Sequence, residues 1–182
     1  SGRSPVIRYE TSPGAQMQLD WGEFFYEEAG VRRKVYGLTT VLGYSRMRFV
    51  VFFKRCDTAS LIRGTMAALE YYGGTPRVVL TDRMKSVLVT MEDGQAQWNA
   101  RFADFAASTG FSTRVCRSYT PQTKGKVERS ISVVKTSFWA GVHFSDLDDL
   151  NRQALAWCED RNRRLHQTTR CRPVDRLPPR PP

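Results

Sequence analysis

Met17-Gln18-Leu19-Asp20-Trp21-Gly22 alternates large apolar side chains with Gln, Asp and Gly, the period of two that a half-buried β-strand shows. Working outward, residues 33–42 and 46–54 are rich in Val, Thr, Phe and Tyr, with Gly43 marking a turn between them. Three successive strands joined by short turns predict an antiparallel meander. The period then changes. Asp57 is a good N-cap for a helix carrying Leu61, Ile62, Met66 and Leu69 at helical spacing, which Gly73-Gly74 and Pro76 stop. Val78, Val79 and Leu80, within 77–81, form the short apolar run of a buried parallel strand. A second helix is expected over Asn99–Ser108, with Phe102, Phe105 and Ala106 inward and Gly110 as terminator, and another strand over Ser112–Arg117. Residues 118–123 read as polar loop. From about Lys124 a third helix aligns Val127, Ile131, Val134 and Phe138, and a fourth runs from Asp146 to about His166, with acids first and arginines last as the helix dipole prefers. Three strands, then helix–strand–helix–strand–helices, predict an α/β fold: a mixed sheet flanked by helices.

The 182 residues suffice for one domain of ordinary size, and 41% hydrophobic content can bury a sizeable core, which excludes wholesale disorder. Residues 13–171 read as that domain. Residues 1–12 read as an N-terminal extension or cloning remnant, and 172–182 as a Pro/Arg-rich extended segment holding five of the nine prolines. No apolar run approaches the ~20 residues that cross a bilayer, so no membrane partner is expected. The net charge of +10 is localised. Residues 114–135 carry six basic side chains against Glu128, and residues 151–182 carry eight arginines against three acids; the rest is balanced. Basic clusters on a neutral background point to a polyanion, nucleic acid before membrane. Cys56, Cys116, Cys158 and Cys171 are widely spaced and match neither His143 nor His166 in a zinc pattern. Free thiols are expected, with Cys116 and Cys158 in the core.

Three acids stand where an acid needs a reason. Asp20 interrupts a strand between Leu19 and Trp21; Asp82 follows a buried strand, where open α/β sheets place ligands; Glu128 lies just off the apolar stripe of its helix. Each also has a structural explanation. Asp20 could face solvent, Asp82 could cap a turn, and Glu128 could pair with Lys124 one turn away. Together they form an oxygen-donor set suited to Mg²⁺, and two such ions support phosphodiester displacement.

Leu-Asp-Trp-Gly (19–22), Leu-Thr-Asp (80–82) and Tyr-Thr-Pro-Gln-Thr-Lys-Gly-Lys-Val-Glu-Arg (119–129) occur in this order. The set resembles the integrase core of retroviral-type DDE recombinases. It resembles more closely the large transposase of two-gene bacterial insertion sequences that act with an AAA+ ATPase. The 45 residues between Asp82 and Glu128, the segment Trp98–Ala106 with Gly110-Phe111, and Asn162-x-x-x-His166-x-Thr168-Thr169 before Pro173 also fit that group. The resemblance implies an RNase H-like fold with a five-stranded mixed sheet, three antiparallel strands preceding the parallel ones. It implies that Asp20 bridges two Mg²⁺ ions, Mn²⁺ substituting, with Asp82 on one and Glu128 on the other. Cleavage would expose a 3′ hydroxyl at each element end, which then attacks target DNA.

The resemblance further places Gln122, Lys124 and Lys126 near the scissile phosphate, and the basic Arg129 and Lys135 extend that cluster along the helix. Arg83 departs from the pattern, since many relatives carry Asn there; it could contact phosphate or weaken metal binding. The implied partners are double-stranded DNA, further copies of the chain and an AAA+ helper, in bacterial cytoplasm at the nucleoid. Two alternatives stay open: an RNase H-like nuclease or resolvase that does not join strands, and a DNA-binding module with a degenerate site.

Overall fold

The structure is a computed structural model and describes residues 16–82, 89–92, 95–116 and 131–169. Strands β1 (Gln16–Glu28), β2 (Val31–Leu42) and β3 (Arg48–Phe53) form the expected meander. Helix α1 (Thr58–Tyr72) follows, and then β4 (Val78–Asp82). A short hairpin, β5 (Val89–Glu92) and β6 (Gln95–Trp98), precedes α2 (Ala100–Thr109) and β7 (Ser112–Cys116). Helix α3 (131–137), a 3₁₀ turn at Trp139–Gly141 and α4 (Leu147–Thr169) complete the described chain. The main sheet has the order β3-β2-β1-β4-β7, antiparallel through β3-β2-β1 and parallel through β1-β4-β7. This is the α/β mixed five-stranded sheet read from the sequence. The β5–β6 hairpin, the 3₁₀ turn and the length of β1 are additions to that reading.

The helix boundaries have local causes. Asp57 accepts a hydrogen bond from Ser60 N at 2.8 Å, and Gly73 closes α1 in the left-handed region at φ 77°. Asn99 accepts from the N–H groups of Arg101 and Phe102, and Gly110 (φ 97°) closes α2. Between β1 and β2, Ala29 (φ 51°) and Gly30 (φ 77°) make a two-residue turn with both central residues at positive φ, whose twist matches the flanking strands.

The alternation in β1 divides the core in two. Met17, Leu19 and Trp21 join α1 and α2 on one face, with Phe102, Phe111 and Leu61. Phe24 belongs to the opposite face, with Val50, Phe52, Val134, Phe138 and Leu150 under α3 and α4. Strand β3 is a sheet edge, and α4 satisfies it. Asn151 Oδ1 and Nδ2 bond the N–H and C=O of Phe52 at 2.7 and 3.0 Å; Asn162 does the same for Arg48, both at 3.0 Å. Between them, the Val50 N–H bonds to Cys158. Residues 151, 158 and 162 share one helix face, so α4 acts as a substitute strand along an edge that would otherwise template aggregation.

Candidate functional site

The carboxylates are positioned by the junction between the antiparallel and parallel halves of the sheet. β1 and β4 pair in parallel through Gln16↔Val78, Met17↔Val79 and Gln18↔Leu80. Asp20 lies two residues beyond Gln18, and Asp82 lies two beyond Leu80. Both acids thus lie two residues past the last pair of the same parallel ladder, Gln18↔Leu80, on neighbouring strands. Asp82 is also the last residue of β4, paired with Cys116 at the last residue of β7. It stands at the carboxyl end of parallel strands, where open sheets place their ligand sites.

Asp20 does not face solvent. It is 8% exposed, on the α3/α4 face between Gln18 and Gly22, with buried Thr39 as its partner across β2. A carboxylate taken out of water in a strand is costly unless a cation or hydrogen-bond donors accompany it. That argues against the solvent-facing explanation for this acid.

Gly22 explains how α3 approaches the same face. A Cβ at Gly22 would lie 2.8 Å from Phe24 Cε2 and 3.4 Å from Ile131 Cγ2, so the missing side chain leaves room for the Phe24 ring and for Ile131 of α3. Its partner across the ladder is Gly37, where a Cβ would lie 2.7 Å from the same Phe24 atom and 3.0 Å from Phe52 Cε1. A glycine two residues past a strand acid was the available sequence signal for this close approach. Ile131, the first described residue of α3, is three residues after Glu128. Chain of that length spans at most about 10 Å.

Glu128, Gln122, Lys124, Lys126, Arg129 and Arg83 lie outside the described residues, as does the Asp82 side chain. Among the described residues no group of three His, Cys, Asp or Glu side chains could hold a metal ion. Lys135 is exposed, with its Nζ 5.4 Å from the centre of the Phe24 ring. Phe24 is four residues along β1 from Asp20, about 13 Å. A cation that the sequence did not single out shares the Asp20 face: Arg48 aligns with Val41 and Gln18 across the three strands. Burial first, then the neighbouring Arg161, push its pKa down, and its Nε and Nη1 have no hydrogen-bond partner among the described residues.

The profile of the integrase core domain matches residues 10–121, a span that includes Asp20 and Asp82. The chain belongs to the integrase core domain family. It is 41% identical over 175 residues to a protein of the insertion sequence element IS5376 of Geobacillus stearothermophilus, covering 94% of this chain and 43% of that one. It is 34% identical over 156 residues to the transposase for insertion sequence element IS21 of Pseudomonas aeruginosa, covering 85% and 40%. The chain thus spans under half the length of these curated relatives. The HTLV-2 integrase catalytic core domain, solved in complex with magnesium, superposes with a TM-score of 0.55 at 20% identity, covering 79% of this chain and 84% of that one. That likeness establishes the RNase H-like fold of this integrase core. Among the described residues, no helix is long and apolar enough to cross a membrane.

Proposed function

We propose that the chain is the catalytic core of a DNA transposase that cleaves the 3′ ends of its element and transfers them into target DNA. Asp20, Asp82 and Glu128 would hold two Mg²⁺ ions, Asp20 serving both. The observation that carries this reading is the parallel β1–β4 ladder, past whose last pair Asp20 and Asp82 each lie by two residues, with Asp20 buried on the face that α3 crosses. The relatives named as transposases and the magnesium held by the HTLV-2 integrase core support it.

The donor set fits the ion. Carboxylate oxygens are the ligands Mg²⁺ prefers, and the described surroundings of Asp20 (Gln18, Thr39, Gly22) offer no competing soft ligand. When bound, the ions supply Lewis-acid activation of the attacking oxygen and stabilisation of the leaving one. The chain's own contribution would be orientation: neighbouring strands of one sheet carry Asp20 and Asp82, and Glu128 precedes α3, which packs over the Asp20 face. Gln122, Lys124, Lys126, Arg129, Lys135 and Arg83 would hold backbone phosphates, giving affinity that falls steeply with salt. Working partners are double-stranded DNA at element ends and target, further copies of the chain on paired ends, and an AAA+ ATPase, in the bacterial cytoplasm at the nucleoid.

The test uses the full-length protein with pre-processed element ends and Mg²⁺ or Mn²⁺. Asp20→Asn, Asp82→Asn and Glu128→Gln should each abolish nicking and strand transfer while DNA binding survives. Activity retained in any one variant removes that residue from the triad. Nicking without joining in the unaltered protein would favour the nuclease alternative.

A further inference from the structure

The sheet face that holds Asp20 is unevenly covered. Toward β3, Phe24, Val35, Val50 and Phe52 are buried beneath α3 and α4. Toward β7 the same face is open: Val78 and Leu80 are half-buried, and Ser112 and Arg114 are exposed. The ladder fixes which way Arg114 points. It pairs with Leu80, and Leu80 pairs with Gln18, two residues before Asp20 and on the same side of β1. Met17 and Val79 belong to the opposite core under α1 and α2, and Val115 packs against that core. Arg114 therefore stands on the open half of the Asp20 face.

Its distance from the acids follows from the same pairing. Arg114 is two residues before Cys116, which pairs with Asp82, so backbone positions 114 and 82 are about 8 Å apart. Two strands across and two residues along, the Asp20 position is about 12 Å away. Arg114 also opens the basic run 114–135. Among the described residues its guanidinium has neither an ion pair nor a hydrogen bond. A cation on an edge strand can serve only to discourage pairing with another chain. That task needs a charge anywhere along β7, whereas Arg114 is placed where a DNA strand crossing the open half-face from the acids would pass.

We propose that Arg114 binds a backbone phosphate of the DNA strand engaged at the carboxylates. At about 3.4 Å of rise per nucleotide, the 8 Å offset puts that phosphate about two nucleotides from the reacting one. The guanidinium fork matches two phosphate oxygens, and such contacts set the register of a strand without reading its sequence. β7 is hydrogen-bonded to β4 along its whole length, so the contact is held by the sheet. The inference rests on the reading of the chain as a DNA-acting core and adds to it a contact carried by a strand.

The test reads DNA binding without metal, so it does not depend on whether the carboxylates cut. The 182-residue chain is titrated into fluorescein-labelled duplexes over a series of salt concentrations, and anisotropy gives the affinity. Each phosphate contact contributes about 0.9 to the slope of log K against log salt. Arg114→Gln should lower the slope by about 0.9, which is about eightfold in affinity at 0.1 M salt for lines that meet at 1 M. Arg114→Lys keeps the charge and should restore most of the slope. Arg101→Gln removes an exposed cation from α2, on the other side of the sheet, and should leave the slope unchanged. A duplex with open ends stands for element DNA, and one closed by hairpin loops stands for target DNA. A loss confined to the first assigns the phosphate to the element end, and a loss with the second assigns it to target DNA; either supports the contact. A slope unchanged with both duplexes overturns the proposal. So does an equal loss in Arg101→Gln, which would make the effect one of net charge, and so does an unaltered chain that binds neither duplex. Aggregation of Arg114→Gln with an unchanged slope in its monomer would assign Arg114 to guarding the β7 edge and overturn it too. Activity retained in the triad variants would refute the carboxylate assignment and leave the Arg114 slope as measured.

Discussion

Removing the Asn162 side chain should destabilise the domain more than its size suggests. Asn162 is 2% exposed and makes three hydrogen bonds inside the fold: Oδ1 accepts from Arg48 N, and Nδ2 donates to Arg48 O and to the Tyr71 hydroxyl at 2.8 Å. Asn162→Ala strips two backbone groups and a phenol of partners at a site closed to water. Unsatisfied buried groups cost about 1–3 kcal/mol each, and partial relaxation brings the expected total to about 3–5 kcal/mol. Asn151→Ala removes the equivalent bonds at Phe52 where the side chain is half-buried and water can replace it, so about 1 kcal/mol is expected. Urea unfolding followed by tryptophan fluorescence measures both. Tyr71→Phe should cost less in the Asn162→Ala background than in the unaltered chain, because its partner is already gone. If Asn162→Ala costs no more than Asn151→Ala, the substitute-strand account of α4 is wrong.

Two further outcomes follow from burial and close packing. Burial pushes the Cys158 thiol from its ordinary 9.0 up to about 12, and the Tyr71 phenol likewise to about 12. Both groups ionise in the unfolded chain before the folded one, so their contribution is intact below pH 9 and is lost as pH rises from 9 toward 12. Stability should fall through that window by up to about 1.4 kcal/mol per pH unit per group, and Cys158→Ala should flatten the decline measured by urea unfolding; an unchanged slope would contradict the assignment. Gly37→Ala forces a methyl against the buried Phe24 and Phe52 rings and should cost about 1–3 kcal/mol. Gly22→Ala should cost a similar amount and also slow strand transfer in the full-length protein, because Ile131 rests over Gly22; unaltered stability and rate in both variants would refute the close-approach argument.

Much of the fold was legible because local chemistry and tertiary structure agree. Alternation at Met17, Leu19 and Trp21 marked β1 and the face it buries, and Asp57, Gly73, Asn99 and Gly110 cap the helices as their chemistry favours. What escaped lacks a local signal. β5 and β6 are four residues each and pair with each other, not with the main sheet, so Gln95-Ala96-Gln97 carries no apolar period to read. The outer half of β1 holds Phe24, Phe25 and Tyr26 in succession, which hides the alternation. Its turn places Ala29 at positive φ, where Asn or Gly would have announced a hairpin. For the site, the strand acids were readable one by one. The β1–β4 register, which makes the strands of Asp20 and Asp82 neighbours, depends on pairing between segments about sixty residues apart, and no local pattern encodes it.

The sequence block that carries the family resemblance mixes residues with different physical tasks, and hydrogen-bond capacity separates them. Asn162 belongs to the same pattern as the carboxylates, yet its oxygen and both amide hydrogens bond to Arg48 and Tyr71. Its place in the pattern is explained by the edge strand it closes. Asp20 is the opposite case. The strand would be better served there by Val or Thr, and the burial of a carboxylate works against folding. Closing the β3 edge accounts for Asn162, while Gly22 and Gly37 give up side chains to let Phe24 and α3 close over the face that holds Asp20. These packing constraints fall on β1 and its neighbour β2, where the sheet turns from antiparallel to parallel, and they hold that junction open to α3.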